Sequence, residues 1–186
     1  MTDPDPRFVD KTIVLVGLMG AGKTSVGRRL AARLGLRFVD ADAEIESAAG
    51  MTIADIFATH GEAHFRDGER RVIARLLDDR GQVLATGGGA FMDPDTRQHI
   101  SEKAISVWLK ADLDVLFKRV SRRKTRPLLN KSDPKAVLEQ LIRERYPVYA
   151  EADVTIESVD APHEVMVEKI LSALGDRVPA PTRQSQ

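Results

Sequence analysis

The chain contains no cysteine. Disulfides, zinc–thiolate centres, iron–sulfur clusters and cysteine nucleophiles are therefore excluded. It also has no net charge, because 28 Lys and Arg balance 28 Asp and Glu. Without a global field to recruit nucleic acid or an anionic membrane, any positive site must be local. No apolar run approaches the ~20 residues of a bilayer-spanning helix. The opening Met1-Thr2-Asp3-Pro4-Asp5-Pro6 is acidic and lacks the apolar core of a secretory signal. Internal repeats are lacking too. These absences leave the expectation of a soluble cytoplasmic protein that works on neither nucleic acid nor membrane, and, as no long amphipathic helix demands a partner, of a monomer.

What remains is ordinary globular material. At 186 residues, 42% hydrophobic and 30% charged, the chain suits one domain with a real core. Thr12 to Val16 is a β-branched apolar run ending at Gly17 and reads as a buried strand. A helix follows from Lys23 to Leu34, with Val26, Leu30 and Leu34 on one face and Gly35 as its stop. Arg37 to Val39, Gln82 to Ala85, Ala104 to Leu109 and Asp153 to Glu157 read as further strands. Helices are expected over Ala43 to Ala49, Ile53 to Thr59, Gly61 to Asp79, from Asp93-Pro94, from Asp112 to Ser121, Lys135 to Ala150 and Ala161 to Leu174. Strands alternating with helices give a parallel sheet covered on both faces. Residues 1–11 read as an extension, residues 12–174 as the domain, residues 122–134 as a basic, mobile loop, and residues 175–186 as a disordered tail.

The strongest motif is Gly17-Leu18-Met19-Gly20-Ala21-Gly22-Lys23-Thr24, which fits G-x-x-x-x-G-K-[ST] between a strand and a helix. The glycines let the loop turn its amides inward, and the helix behind adds its positive end. Lys23 would neutralise β- and γ-phosphate charge, and Thr24 would offer its hydroxyl to Mg²⁺. This P-loop specifies nucleotide binding, not a reaction. Asn130-Lys131-Ser132-Asp133 also fits the guanine-reading N-K-x-D pattern. It lies in a polar loop and does not end a buried strand, so it reads as coincidence.

Asp40 and Asp42 follow the second strand. Residues i and i+2 on an extended segment face the same way, so both could enter one cleft. Asp40 could hold Mg²⁺, and Asp42 could bind a substrate hydroxyl as base or orienter. Alternatively, Asp42 merely caps the helix at Ala43. Gly87-Gly88-Gly89 follow the third strand directly and suit either close approach to a ligand or a tight turn. Arg66, Arg119 and Arg145 are individually uninformative. Arg126, in Arg126-Pro127-Leu128-Leu129, could ride a loop that closes over a transferring phosphoryl group.

Taken in order, these segments resemble the shikimate kinase family. The matching pieces are the loop at 17–24, Phe38-Val39-Asp40-Ala41-Asp42 with Glu44-Ile45-Glu46, and Glu62-Ala63-His64-Phe65-Arg66. Leu84-Ala85-Thr86-Gly87-Gly88-Gly89-Ala90, Arg126-Pro127-Leu128-Leu129 and Arg145-Tyr146-Pro147-Val148-Tyr149 complete the set. The resemblance implies a nucleoside-monophosphate-kinase-like α/β/α sandwich on a five-stranded parallel sheet of order 2-3-1-4-5. It implies an ATP- and Mg²⁺-dependent transfer to the 3-hydroxyl of shikimate, in aromatic amino-acid biosynthesis. Carried over by motif, Gly20, Ala21, Gly22, Lys23, Thr24 and Ser25 hold the ATP phosphates. Thr24 ligates Mg²⁺, with Asp40 in its outer shell. Asp42 binds shikimate hydroxyls and is the candidate base. Arg66 and Arg145 bind the carboxylate, and Gly87, Gly88 and Gly89 bind the substrate too, Gly88 through a backbone contact. Arg126 belongs to the closing lid, and Arg119 lies near the adenine. The competing readings are a kinase of another metabolite such as gluconate and a silent nucleotide-binding regulator on the same fold.

Overall fold

The computed structural model describes residues 4–122 and 133–178. Five strands, β1 (Thr12–Val16), β2 (Arg37–Asp40), β3 (Gln82–Ala85), β4 (Ala104–Ala111) and β5 (Val154–Ser158), form one sheet in the order β2-β3-β1-β4-β5. Every pairing is parallel, with Thr12 beside both Gln82 and Ala104. All residues of β1 and β3 are buried whichever face they point to, so both faces of the sheet are covered. The edge strand β5 alternates buried and exposed residues instead. Because β3 and β4 flank β1 on opposite sides, the chain reverses its direction of travel across the sheet at the C-terminal end of β1. Ligands enter open parallel sheets at such a crevice.

Helix α1 (Lys23–Leu34) starts directly after the phosphate-loop glycines and buries Val26, Leu30 and Leu34 as its spacing predicts. It packs against α7 (His163–Arg177), which closes the chain over the same side. Helices α4 (Pro94–Lys103), α5 (Leu113–Ser121) and α6 (Pro134–Tyr149) complete the layers, with a 3-10 turn at Ala90–Met92. Asp93 caps α4 through the Thr96 amide, and Asp133 caps α6 through the Ala136 amide. The last residue of the N-K-x-D string thus has a local structural use. The rest of that string, Asn130 to Ser132, lies outside the described residues.

Between β2 and β3 the chain forms an arm. Helix α2 (Ala41–Ala49) stops at Gly50, and α3 (Ile53–Leu76) is capped by Thr52 and broken at Gly61, whose φ of 82° and ψ of 173° leave the helical region. Ile45, Ile56 and Phe65 form a hydrophobic cluster of their own, apart from the main core around β1, β3 and β4. Half-buried Val72 packs against both.

Two terminal boundaries differ from expectation. Residues 5–10 are docked: the Asp5 amide donates to the Leu34 carbonyl, and Phe8, 1% exposed, sits in the core. At the other end α7 runs through Gly175 to Arg177. A glycine inside a helix costs about 1 kcal/mol. Here Ile170 and Leu174, both fully buried, anchor the last turns.

Candidate active site

The loop between β1 and α1 folds as its glycines demand. Gly20 and Gly22 take φ values of 83° and 97°, a left-handed region that side chains rarely occupy, and Gly22 becomes the N-cap of α1. Lys23 Nζ donates to the carbonyls of Gly17 (2.6 Å) and Leu18 (3.0 Å), folding its charge across the loop. The back of the loop is tied down from two elements. Arg119 on α5 donates to the Gly20 and Ala21 carbonyls, at 3.2 and 3.3 Å, and to the Ser158 hydroxyl and Val159 carbonyl at the end of β5. Ser158 itself donates to the Ala21 carbonyl. Burial pulls the Arg119 guanidinium below its ordinary pKa, a shift that leaves it charged at neutral pH.

The two aspartates after β2 come together with the loop, by a different route from the one expected. Asp40, not Asp42, is the N-cap of α2: its Oδ1 accepts the Asp42 amide at 3.1 Å, and its Oδ2 accepts the Thr24 hydroxyl at 3.1 Å. Asp42 therefore stands in the first turn of a helix that starts two residues early, not on an extended segment. The reading of Asp42 as a mere cap is likewise corrected. Its carboxylate is turned toward the triple glycine, where Oδ1 lies 2.9 Å from the point a Cβ on Gly87 would occupy.

The three glycines after β3 each leave room for charged neighbours. A Cβ on Gly87 would meet Asp42 and Glu69, one on Gly88 would lie 3.3 Å from an Arg145 guanidinium nitrogen, and one on Gly89 would lie 2.5 Å from Arg66. The side chains of α2, α3 and α6 thus close on a backbone that offers no substituent to keep them away. Arg66 is held by Glu69, whose Oε2 accepts its guanidinium at 2.6 Å. Tyr149 on α6 donates from its hydroxyl to the Gly88 carbonyl, and Tyr146 does so to the Ala111 carbonyl. Trp108 packs against both rings, at 4.9 Å from Tyr146 and 5.8 Å from Tyr149.

Glu69 is the residue that sequence reading missed most clearly. It is only 3% exposed, and Oε1 has no hydrogen-bond partner among the described residues. Burial pushes its carboxyl above the ordinary 4.5; the nearby charges of Asp42 and Asp93 add to this, while Arg66 opposes it. The folded chain therefore holds this proton at pH values where the unfolded chain has released it. Stability from this group is greatest at low pH and is lost as pH rises from about 4.5 through the raised folded value. The stability of the wild type relative to a Glu69→Gln variant is expected to fall as pH rises through that window, measured by urea midpoints at a series of pH values. A difference that does not change with pH would mean that burial does not perturb this carboxyl.

The comparisons with known proteins now decide the family. A family model described as shikimate kinase matches residues 19–175. A shikimate kinase from Rhodopseudomonas palustris is 63% identical over 167 residues, covering 90% of this chain and 82% of that protein. The chain belongs to the shikimate kinase family. Among solved structures, a shikimate kinase from Acinetobacter baumannii determined in complex with shikimate superposes with a TM-score of 0.87 at 40% identity, over 91% of this chain and 96% of that one. A gluconokinase from Sinorhizobium meliloti superposes with a TM-score of 0.61 at 19% identity, covering 92% of this chain and 95% of that one, a likeness of fold alone. Of the site residues expected in this kinase, the structure brings Asp42, Arg66 and Arg145 together at Gly87–Gly89. It sets Thr24 and Asp40 side by side at the loop and places Arg119 behind it. Arg126 lies outside the described residues.

Proposed function

We propose that the crevice between the phosphate loop and the triple glycine is where this shikimate kinase transfers the terminal phosphoryl group of ATP to the 3-hydroxyl of shikimate. The observation that carries the reading is the convergence of Asp42, Arg145 and Arg66 on three successive glycines beside Lys23. Shikimate carries a carboxylate at one end of its ring and hydroxyls at the other, and this site has two guanidinium groups and the Asp42 carboxylate to match.

In this reading the amides of Gly20 to Ser25 hold the ATP phosphates. Lys23 leaves the Gly17 and Leu18 carbonyls to meet the charge that develops on the transferring group. Arg66 and Arg145 grip the carboxylate, bidentate geometry being available to each guanidinium. Asp42 accepts a hydrogen bond from the ring hydroxyls and orients the attacking oxygen. A loose phosphoryl-transfer transition state asks more of that orientation than of a strong base. Arg126 adds charge from the loop expected to close over the phosphates, and Arg119 braces the loop backbone near the nucleotide.

Thr24 and Asp40 fit Mg²⁺, because their oxygens stand 3.1 Å apart at the loop and Mg²⁺ takes hard oxygen donors, few of them from protein. Bound there with ATP, the ion would neutralise phosphate charge. The reading extends to a cytoplasmic monomer. No helix among the described residues is long and apolar enough to cross a membrane.

The direct test is ADP release from Mg-ATP with and without shikimate, and with gluconate in its place. Strong stimulation by shikimate and none by gluconate is expected. ADP release indifferent to shikimate would sink the reading.

A further inference from the structure

Tyr149 is fully buried, at 0% exposure, one helical turn beyond Arg145 on α6. Residues four apart on a helix share a face, so the two side chains leave α6 together. The Tyr149 hydroxyl donates to the Gly88 carbonyl, and the Arg145 guanidinium lies close enough to the same phenol to favour its ionised form. Arg145 in turn lies 3.3 Å from the Cβ position of Gly88. One hydroxyl thus stands between the backbone of the triple glycine and the arginine that approaches it.

We propose that Tyr149 is a positioning residue for the acceptor: its hydroxyl fixes both the Gly88–Gly89 peptide and the Arg145 guanidinium in the arrangement that grips the substrate carboxylate. The inference rests on the assignment of Arg145 and the triple glycine to that carboxylate. A trans peptide carries its C=O and the following N–H on opposite edges, so holding the Gly88 carbonyl also fixes where the Gly89 amide points. A triple glycine has the widest conformational freedom the chain can offer. The Ala90 and Met92 amides hold the Gly87 and Gly89 carbonyls, and the Tyr149 hydroxyl holds the Gly88 carbonyl between them. Burial raises the phenol above its ordinary pKa, against the pull of Arg145 and Arg66, so it remains a donor throughout the neutral range. The ring packs between Phe91, Trp108 and Tyr146, which leaves the hydroxyl little room to swing away.

Tyr146 supplies a matched control. It is half-buried on α6, with its phenol pushed up to about 12 by burial, and its hydroxyl also donates to a backbone carbonyl, that of Ala111. That carbonyl belongs to β4 and not to the triple glycine. Tyr149→Phe and Tyr146→Phe each remove one hydroxyl that donates to a backbone carbonyl and keep the ring, so a purely structural role predicts similar behaviour for both.

The experiment measures kcat, KM for shikimate and KM for ATP in Tyr149→Phe, Tyr146→Phe and Arg145→Ala, with Tm for each. Tyr149→Phe is expected to raise the shikimate KM about tenfold, the upper end for one lost hydrogen bond. Its ATP KM and kcat should stay close to wild type, while Tyr146→Phe leaves all three constants in place. The preference for shikimate over its methyl ester, which lacks the carboxylate charge, is expected to narrow in Tyr149→Phe alone of the two tyrosine variants. If Arg145→Ala raises the shikimate KM but Tyr149→Phe does not, the positioning role is wrong and the site assignment stands. If Arg145→Ala leaves the shikimate KM unchanged, the assignment itself fails and the role of Tyr149 fails with it. A Tyr149→Phe variant that merely loses Tm to the same extent as Tyr146→Phe, with an unaltered shikimate KM, also overturns the proposal.

Discussion

Replacing Lys23 with alanine is expected to abolish turnover, with a fall in kcat of ~10³-fold or more, the scale on which removal of one preorganised charge at a transition state is felt. The fold should survive. Lys23 is only half-buried, and its two bonds to the Gly17 and Leu18 carbonyls contribute at most a few kcal/mol before water replaces them, by the usual worth of about 1 kcal/mol per hydrogen bond. The loop does not depend on the lysine for its shape, because Arg119 and Ser158 hold the Gly20 and Ala21 carbonyls from behind. Shikimate-stimulated ADP release together with a thermal melt would separate the two effects. Turnover within tenfold of wild type would remove Lys23 from the mechanism.

Arg145→Ala is expected to act on the other substrate, raising the shikimate KM by on the order of 10²-fold while kcat changes much less, as for loss of a charge-assisted grip made equally in ground and transition states. Arg145→Lys should restore only part of the affinity, since an ammonium cannot reproduce a planar fork. Fold stability should move little, because Arg145 forms no ion pair among the described residues and its neighbour Tyr149 keeps its own bond to Gly88. Initial rates over a matrix of ATP and shikimate concentrations would test this. A rise confined to the ATP KM would move Arg145 from the acceptor to the nucleotide.

Much of this was legible in the sequence where the signal is local. The strand Thr12–Val16, the loop glycines and the helix Lys23–Leu34 have the expected bounds because periodicity and glycine punctuation lie within a few residues of what they specify. The order of the strands came from family resemblance, since nothing local in a parallel strand names its neighbour. Asp40-Ala41-Asp42 contains two candidate caps, and the choice between them is settled by tertiary position. Asp40 takes the cap, with its second oxygen on Thr24, and Asp42 is released to face Gly87. Glu69 and Tyr149 were illegible for a related reason. An acid in an amphipathic helix reads as a solvated face and a tyrosine as core. What distinguishes these two is contact with Gly87 and Gly88, far away in the chain. Phe8 was likewise read as part of an inert extension, because one apolar residue has no period.

The separation of the cluster at Ile45, Ile56 and Phe65 from the main core governs how the chain can change over generations. Substitutions at sites that share no partner add in free energy, whereas those in one packed cluster compound one another. Variants in the arm's cluster and variants beneath the phosphate loop therefore draw on separate tolerances, with Val72 the residue where the two meet. The packing of the arm can drift while the core beneath the phosphate loop stays under its own constraint.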